Sequence, residues 1–293
     1  MEWLVTIPQF LAGGLAIGAV YGLIGAGFSL IYNTSRVINF AQGQFVVYGG
    51  LATVSMIASG MTPFLALPLA VLGCVALGGI LQMLLATARR GSDELTFIMV
   101  TIGVAIAWQG LAHQIWGVDY LTFSLYPEGA VRLLGASVSY GTLATLVVTL
   151  FVCLGLWFFL YQTLVGKAMR ACANDPRVAQ TVGIRPRRMV LGAYLASASL
   201  GGLAGILVTP SLTMSAEFGV LLGIKGFTAA IVGGLANPFG AIVGGVLLGL
   251  FEGLCVGVIS SDLQDAYAFI ALLVILLLRP QGLFSRVLPA GSR

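Results

Sequence analysis

Uninterrupted apolar runs constrain this chain more than any other feature of its sequence. Residues 138–160, for example, contain no charged side chain. A helix needs about 20 apolar residues to cross a hydrocarbon core roughly 30 Å thick, and several runs reach that length. Only 8% of the residues are charged, against about a quarter in soluble domains. We therefore predict an all-α integral membrane protein, with residues 1–293 forming one membrane-embedded domain.

The apolar runs and their breaks predict about eight or nine transmembrane or re-entrant helices. Glu2 stands where a cleavable signal peptide would be basic, so the first run is interpreted as a retained span. The predicted helices lie near residues 8–31, 45–60, 63–88, 95–116, 138–161, 189–209, 225–236, 239–259 and 266–279.

Basic residues cluster beside these runs, which is typical of orientation signals and does not indicate a nucleic-acid partner. The clusters are Arg89 with Arg90, the segment 167–188, and Arg279 with Arg286. By the positive-inside rule they face the cytoplasm, which predicts an outside N-terminus and a cytoplasmic C-terminus. The expected location is a bacterial-type inner (plasma) membrane, with the chain crossing the lipid bilayer several times.

Glycines recur at four-residue intervals, a spacing that gives a helix one smooth stripe. Such stripes let two backbones approach closely inside a membrane. We expect a compact, glycine-rich bundle in which broken helices are permitted. The stripes are Gly14, Gly18 and Gly22, then Gly201 and Gly205, then Gly245, Gly249, Gly253 and Gly257.

Three amides, Asn39, Gln42 and Gln44, stand among apolar neighbours in the stretch 37–45. Amides in lipid need hydrogen-bond partners. The stretch is either an interrupted helix that lines a solute path or a turn outside the membrane between the first two spans. Residues 233–240, which contain Asn-Pro between glycines, pose the same choice between helix ends near the midplane and a turn at the membrane surface.

Glu252 lies inside a predicted span, where an ionised side chain costs about 2.5 to 3.5 kcal/mol on insertion scales. It must face the protein interior, either on the solute path or as a structural hydrogen-bonding group. His113 is the only histidine, so no metal site is expected. A membrane-embedded enzyme would need paired carboxylates, a histidine cluster or a nucleophile with a base, and the sequence indicates none.

The longest polar segment, 162–188, holds six of the fourteen basic residues. Asp175 suits a helix N-cap, Pro176 the first helical position and Gly183 the C-terminal end, which predicts a short helix over 176–182. Val178, Ala179 and Val182 would share one face. That helix could dock into a groove of a partner protein or lie on anionic headgroups.

Several stretches resemble the LivH-type permease subunits of branched-chain amino acid ABC transporters, and the resemblance covers nearly the whole chain. Residues 36–45 are similar to the family's N-F-A-H-G-E motif, with Gln42 and Gln44 in place of its histidine and glutamate. Further similar stretches are Thr101-Ile102-Gly103, the cytoplasmic segment 166–184, the glycine-rich hairpin 233–249 and the C-terminal residues 265–283, and Glu252 stands at a position where family members commonly carry glutamate.

The resemblance implies a permease that pairs with a second, related permease subunit, two cytoplasmic ATPase subunits and a periplasmic substrate-binding protein. It implies that Asn39, Gln42, Gln44, Thr101 and Glu252 line the substrate path. It also implies that the cytoplasmic segment couples ATP hydrolysis to transport through Gly166, Arg170, Asp175, Pro176, Arg177 and Gly183. No cofactor is expected in this chain, because the G-x-x-x-x-G-K-[ST] phosphate-binding loop does not occur, so ATP would bind to the partner subunits.

A self-sufficient secondary transporter or channel for a small solute is the main alternative, since helical hairpins and an intramembrane acid also occur in those proteins. The sequence does not distinguish among branched-chain amino acids and related small solutes.

Overall fold

Helices form nearly all of the regular structure in the computed structural model, which describes residues 2–88, 94–126, 129–133, 136–279 and 281–284. The described strands form one two-stranded antiparallel hairpin, with Ala130 opposite Ser139. In chain order the elements are α1 Glu2–Ser35, α2 Gln42–Ala58, α3 Pro63–Ala88, α4 Glu94–Trp116, β1 Ala130–Leu133, β2 Ala136–Ser139, α5 Tyr140–Gln162, α6 Leu164–Asn174, α7 Pro176–Thr181, α8 Pro186–Leu212, α9 Phe218–Gly233, α10 Pro238–Val258 and α11 Gln264–Leu278.

Six of the described helices are long and apolar enough to cross a membrane: α1, α3, α4, α5, α8 and α10. The shorter helices α2 and α9, of 17 and 16 residues, lie between them in the chain, and α11, of 15 residues, follows α10. The fold class is therefore confirmed, and each predicted span corresponds to one of these nine helices. The largest boundary error concerns α9, which was expected to begin near 225 and begins at Phe218. Gly219 and Gly223 resemble loop residues in sequence, but in the structure they allow α9 to pack against Gly43 of α2.

The two ends of the bundle differ in charge and structure. We call the end that carries Arg36, α6 and α7 the basic end, and the end that carries β1 and β2 the hairpin end. The α9–α10 turn lies at the basic end, where Asn33 Nδ2 donates to the carbonyl of Ala236 at 2.9 Å. The backbone N–H of Leu283 also donates there, to the carbonyl of Val232 at 2.8 Å. Residues 233–240 therefore form a turn at one end of the bundle, in agreement with the second of the two alternatives left open by the sequence.

Glycine stripes bring the antiparallel helices α1 and α10 into close contact. A Cβ atom added at Gly18 would lie 2.7 Å from the carbonyl oxygen of Gly245, and one added at Gly249 would lie 2.3 Å from the Cα of Gly18. A similar contact joins α2 to α8, where Gly49 faces Gly202. Backbones this close gain dispersion contacts that lipid cannot replace, so the predicted packing role of the stripes is confirmed.

Burial separates inner from outer helices. In α1 the most apolar 18-residue window is 89% buried, whereas the corresponding windows of α4 and α5 are each 22% buried. α1, α2, α8, α9 and α10 pack against one another, and α3, α4 and α5 present broad apolar surfaces on the outside. Polar side chains with functional potential therefore belong on the inner helices, where protein can satisfy them.

Candidate translocation site

The segment between α1 and α2 turns back into the bundle. Arg36 has a positive φ of 60°, and the five residues after it are not helical. Gln42, the first residue of α2, then lies against Gly27 of α1 and Ser197 of α8. Gly27 precedes the last residue of α1 by eight positions, or about 12 Å at 1.5 Å per residue. α2 thus begins deep within the bundle, in agreement with the interrupted helix and not with a turn outside the membrane.

Each predicted amide lies at the start of α2, and each is at most 1% exposed. The Oδ1 of Asn39 accepts from the backbone N–H of Ala41 at 3.1 Å. The hydroxyl of Ser197 donates to Oε1 of Gln42 at 2.7 Å, and Nε2 of Gln42 donates to the carbonyl of Ser197 at 3.2 Å. The Gln44 carboxamide fills the space beside Gly219, in the first turn of α9. The amides therefore join the starts of two short helices to the middle of α8.

Three buried polar atoms in this region have no hydrogen-bond partner among the described residues: Nδ2 of Asn39, Oε1 of Gln44 and Oγ of Ser215. An unpaired buried polar atom costs about 1 to 3 kcal/mol. Thr101 is satisfied, because its Oγ1 accepts from the backbone N–H of Phe40 at 3.3 Å and donates to the carbonyl of Ile98 at 2.9 Å. These three atoms therefore have unused hydrogen-bonding capacity.

A second polar cluster joins four helices around Lys225 of α9. The ammonium nitrogen of Lys225 lies 3.2 Å from Oε1 of Glu252 on α10 and 2.9 Å from Oδ1 of Asp265 on α11. The hydroxyl of Tyr21 on α1 donates to Oε2 of Glu252 at 3.2 Å. The lysine and glutamate side chains are 4% and 3% exposed, whereas that of Asp265 is 57% exposed. The cluster is thus an ion pair buried on the glutamate side and open on the aspartate side.

Helix α6 packs against the end of α5. Thr163 caps α6 by accepting from the backbone N–H of Gly166 at 3.0 Å, and Gly166 fits directly against the backbone of Phe159 and Leu160. Nε of Arg170 donates to the carbonyl of Leu160 at 3.0 Å, and its guanidinium lies 4.2 Å from the ring centroid of Tyr161. Gly166 and Arg170 therefore fix α6 to a long helix and leave the rest of the segment to make other contacts.

Helix α7 begins as its sequence predicts. The Oδ1 of Asp175 accepts from the backbone N–H of Arg177 at 2.7 Å, Pro176 is the first helical residue and Gly183 has a φ of 83°. The shared apolar face is wrong, because Ala179 is 3% exposed while Val178 and Val182 are 62% and 71% exposed. In the structure Ala179 alone packs inward, and the two valines are left on the outer surface.

A direct contact links this segment to the interrupted helix. Nη2 of Arg36 donates to the carbonyl of Ala173 near the end of α6, at 2.8 Å. The residue that redirects the chain into the bundle is thus held by the segment that carries α7.

Family comparison agrees with this arrangement of helices. The family described as "Branched-chain amino acid transport system / permease component" matches residues 10–278. The chain belongs to this family. It is therefore a multi-pass membrane permease, and its family is one of transport components and not of enzymes.

Individual relatives match this permease over nearly its full length. The high-affinity branched-chain amino acid transport system permease protein BraD of Pseudomonas aeruginosa is 29% identical, with 95% of each chain covered. The probable branched-chain amino acid transport permease protein LivH of Methanocaldococcus jannaschii is 30% identical, covering 94% of this chain and 91% of its own. Among solved structures, PsaBC from Streptococcus pneumoniae in complex with Fab has a TM-score of 0.51 at 15% identity, covering 94% of this chain and 92% of that one. The last comparison supports the fold alone.

The permease structure divides the predicted path residues into two groups. Asn39, Gln42, Gln44 and Thr101 lie around the start of α2, whereas Glu252 lies in the ion cluster, and α9 contacts both groups through Gly219 and Lys225. All five predicted residues are at most 2% exposed. In this conformation they are therefore enclosed by protein and do not line an open channel.

Sequence reasoning missed Lys225 and the role of Asp265. Lys225 is the only charged residue of α9, and a lone lysine in an apolar helix requires a carboxylate partner. The expected start of that helix at 225 placed the lysine at a boundary, where it needs none. Asp265 stands just before the predicted helix near 266–279, although in the structure it lies in the first turn of α11. The pair of carboxylates not anticipated from the sequence is thus present, with Lys225 between them.

Proposed function

We infer that this permease is the membrane subunit of an ATP-driven importer for branched-chain amino acids or a related small solute. Family membership and the names of the relatives BraD and LivH support the solute class. Alternating access would be driven by separate ATPase subunits, so this chain would bind no nucleotide and no other cofactor and would catalyse no reaction itself.

The contact between Arg36 and Ala173 is the observation that carries this proposal. An ATPase that displaced α7 would also displace α6, because only Asp175 separates the two helices. The carbonyl of Ala173 would then pull on Arg36 and on the segment leading to Asn39. Motion at the basic end would reach the start of α2 through covalent bonds and one charge-assisted hydrogen bond.

The exposed side chains of α7 and of the residue after it support docking of a partner protein, because they are not buried against the rest of this chain. Val178 and Val182 form an apolar surface, and Arg177 lies between them and the capped start of the helix. Such a short helix suits a groove on a cytoplasmic ATPase. The basic end would then be cytoplasmic, and the hairpin end would face the periplasmic substrate-binding protein.

The complete importer would contain two ATPase subunits, the binding protein and a second, related permease subunit. Asn39, Gln42, Gln44 and Thr101 would line the solute path once the two permease subunits separate on one side. The partnerless atoms of Asn39 and Gln44 support this role, because a solute or water could satisfy them. Glu252 would hold the neighbouring ion cluster in place.

The proposal is tested by removing the start of α7. Replacing Asp175 and Pro176 by Gly-Gly should abolish solute uptake and binding-protein-stimulated ATP hydrolysis in proteoliposomes, while the variant still inserts and assembles. The matched control replaces Ser261 and Asp262 by Gly-Gly, an exposed pair in the α10–α11 connection, and should transport normally. Normal uptake by the α7 variant would remove the coupling role.

Flux by the purified chain without an ATPase would instead favour a secondary transporter or channel. Measuring uptake into otherwise identical vesicles with and without ATP distinguishes the importer from the secondary transporter or channel.

A further inference from the structure

The ion cluster around Lys225 carries more negative than positive charge. One ammonium group faces two carboxylates, those of Glu252 and Asp265. Glu252 is enclosed, faces the ammonium group of Lys225 and also accepts from Tyr21. Among the described residues Asp265 pairs with Lys225 alone, and more than half of its side chain is open. The unbalanced charge therefore lies at Asp265, on the surface of the chain.

The depth of Asp265 can be estimated from α9. Lys225 precedes the last residue of α9 by eight positions, or about 12 Å at 1.5 Å per residue, and α9 ends at the basic end of the bundle. Asp265 contacts the lysine nitrogen at 2.9 Å, so it lies at a similar depth or slightly further in. A hydrocarbon core is roughly 30 Å thick. Asp265 is therefore inside the thickness of the membrane and not at its surface.

The length of α11 leads to the same placement. The helix has 15 residues, about 22 Å, and the chain just beyond its end is held at the basic end by the hydrogen bond from Leu283 to Val232. Its first turn cannot then reach the opposite headgroups. Lipid does not solvate a half-open carboxylate, so the surface beside Asp265 must contact water or another protein.

We propose that Asp265 faces a water-filled solute path and binds the ammonium group of the transported solute. This inference rests on the proposed function and names the solute class as one that carries a cationic amine. Lys225 positions the carboxylate by holding one oxygen and leaves the remaining acceptor capacity to the solute. Glu252 then acts as a positioning residue that holds Lys225, and not as a contact of the solute.

Water access is tested by cysteine labelling of the assembled transporter. In a background without the four native cysteines, Asp265→Cys should react with a membrane-impermeant thiol reagent at least about tenfold faster than Leu273→Cys, because thiolate forms only where water reaches. Leu273 is a matched control, two turns along the same helix and 60% exposed. Equal rates would place Asp265 against lipid and overturn the inference. Labelling of the isolated chain but not of the complex would show a protein contact and would also overturn it.

Ammonium binding is tested by transport. Asp265→Asn should lower leucine uptake by about tenfold or more, as loss of a charge-assisted hydrogen bond implies, and Asp265→Glu should restore most of it. Thermal stability should remain at the wild-type level because the side chain is exposed. Leucine should also slow labelling of a nearby Phe269→Cys reporter, whereas 4-methylpentanoate, which lacks the amine, should not.

Unchanged uptake by Asp265→Asn would refute ammonium binding and leave the importer function standing. Failure of the wild-type complex to accumulate leucine would instead count against the proposed function, while the labelling rates would still decide whether Asp265 faces water.

Discussion

Replacing Gly249 by alanine would force α1 and α10 apart. The added Cβ would lie 2.3 Å from the carbonyl oxygen of Gly14 and from the Cα of Gly18, whereas ordinary contacts begin at 3.4 Å. The helices must therefore separate by about 1.1 Å (3.4 minus 2.3) along this line. Neither neighbouring atom can move by rotating a side chain, because both belong to the backbone. Overpacking of this kind costs about 1 to 3 kcal/mol, and we expect the upper part of that range.

Thermal unfolding of the purified protein in detergent measures this cost. At roughly 2 to 4 °C per kcal/mol for a chain of comparable size, Gly249→Ala should unfold several degrees below the wild type. Gly13→Ala is the matched control, because no atom lies within 4 Å of the added Cβ at that position. It should be neutral or slightly stabilising, by up to about 1 kcal/mol from helix propensity. Equal unfolding temperatures for the two variants would refute the close backbone contact.

Three further predictions concern the charged and capped parts of the molecule. Lys225→Met should destabilise the protein by about 3 to 5 kcal/mol, because it leaves the Glu252 carboxylate buried without its cationic partner. In thermal unfolding, a double variant with Lys225→Met and Glu252→Leu should recover most of this loss of stability. No recovery would contradict the pairing of the two residues. Arg170→Gln should loosen α6 from the carbonyl of Leu160 and speed limited proteolysis of that segment, and an unchanged cleavage rate would show that the contact is dispensable. Burial raises the pKa of the Cys172 thiol. Thiol labelling of Cys172 should therefore need a higher pH in the native protein than after denaturation. Identical pH profiles for the two states would contradict the burial of this side chain in α6.

Apolar runs were sufficient to predict the spans because each long helix must present hydrophobic residues to lipid or to a neighbour along its whole length. The glycine stripes likewise predicted close helix packing, since four-residue spacing aligns them on one face, but they did not show that α1 and α10 are partners. Helix α6 was missed because its packing depends on the backbone of α5 beneath Gly166, a contact between elements that no local pattern records.

The candidate site was only partly predictable for a related reason. The amides of Asn39, Gln42 and Gln44 are visible as polar residues in an apolar stretch, but their depth depends on how the chain turns at Arg36. The charge of Lys225 is equally visible, yet its carboxylate partners lie 27 and 40 positions later, on α10 and α11. Polarity can be found in a sequence, whereas the pairing of polar groups requires the packing of helices.

The hydrogen bonds between Gln42 and Ser197 also bear on how the protein is made. The two residues are 155 positions apart, and ribosomes add about 5 to 20 residues per second. Roughly 8 to 30 s must therefore pass between synthesis of the glutamine and synthesis of its partner. During that interval the start of α2 needs water or the insertion machinery to solvate its amides, so the inward turn of the chain is completed only after α8 has entered the membrane.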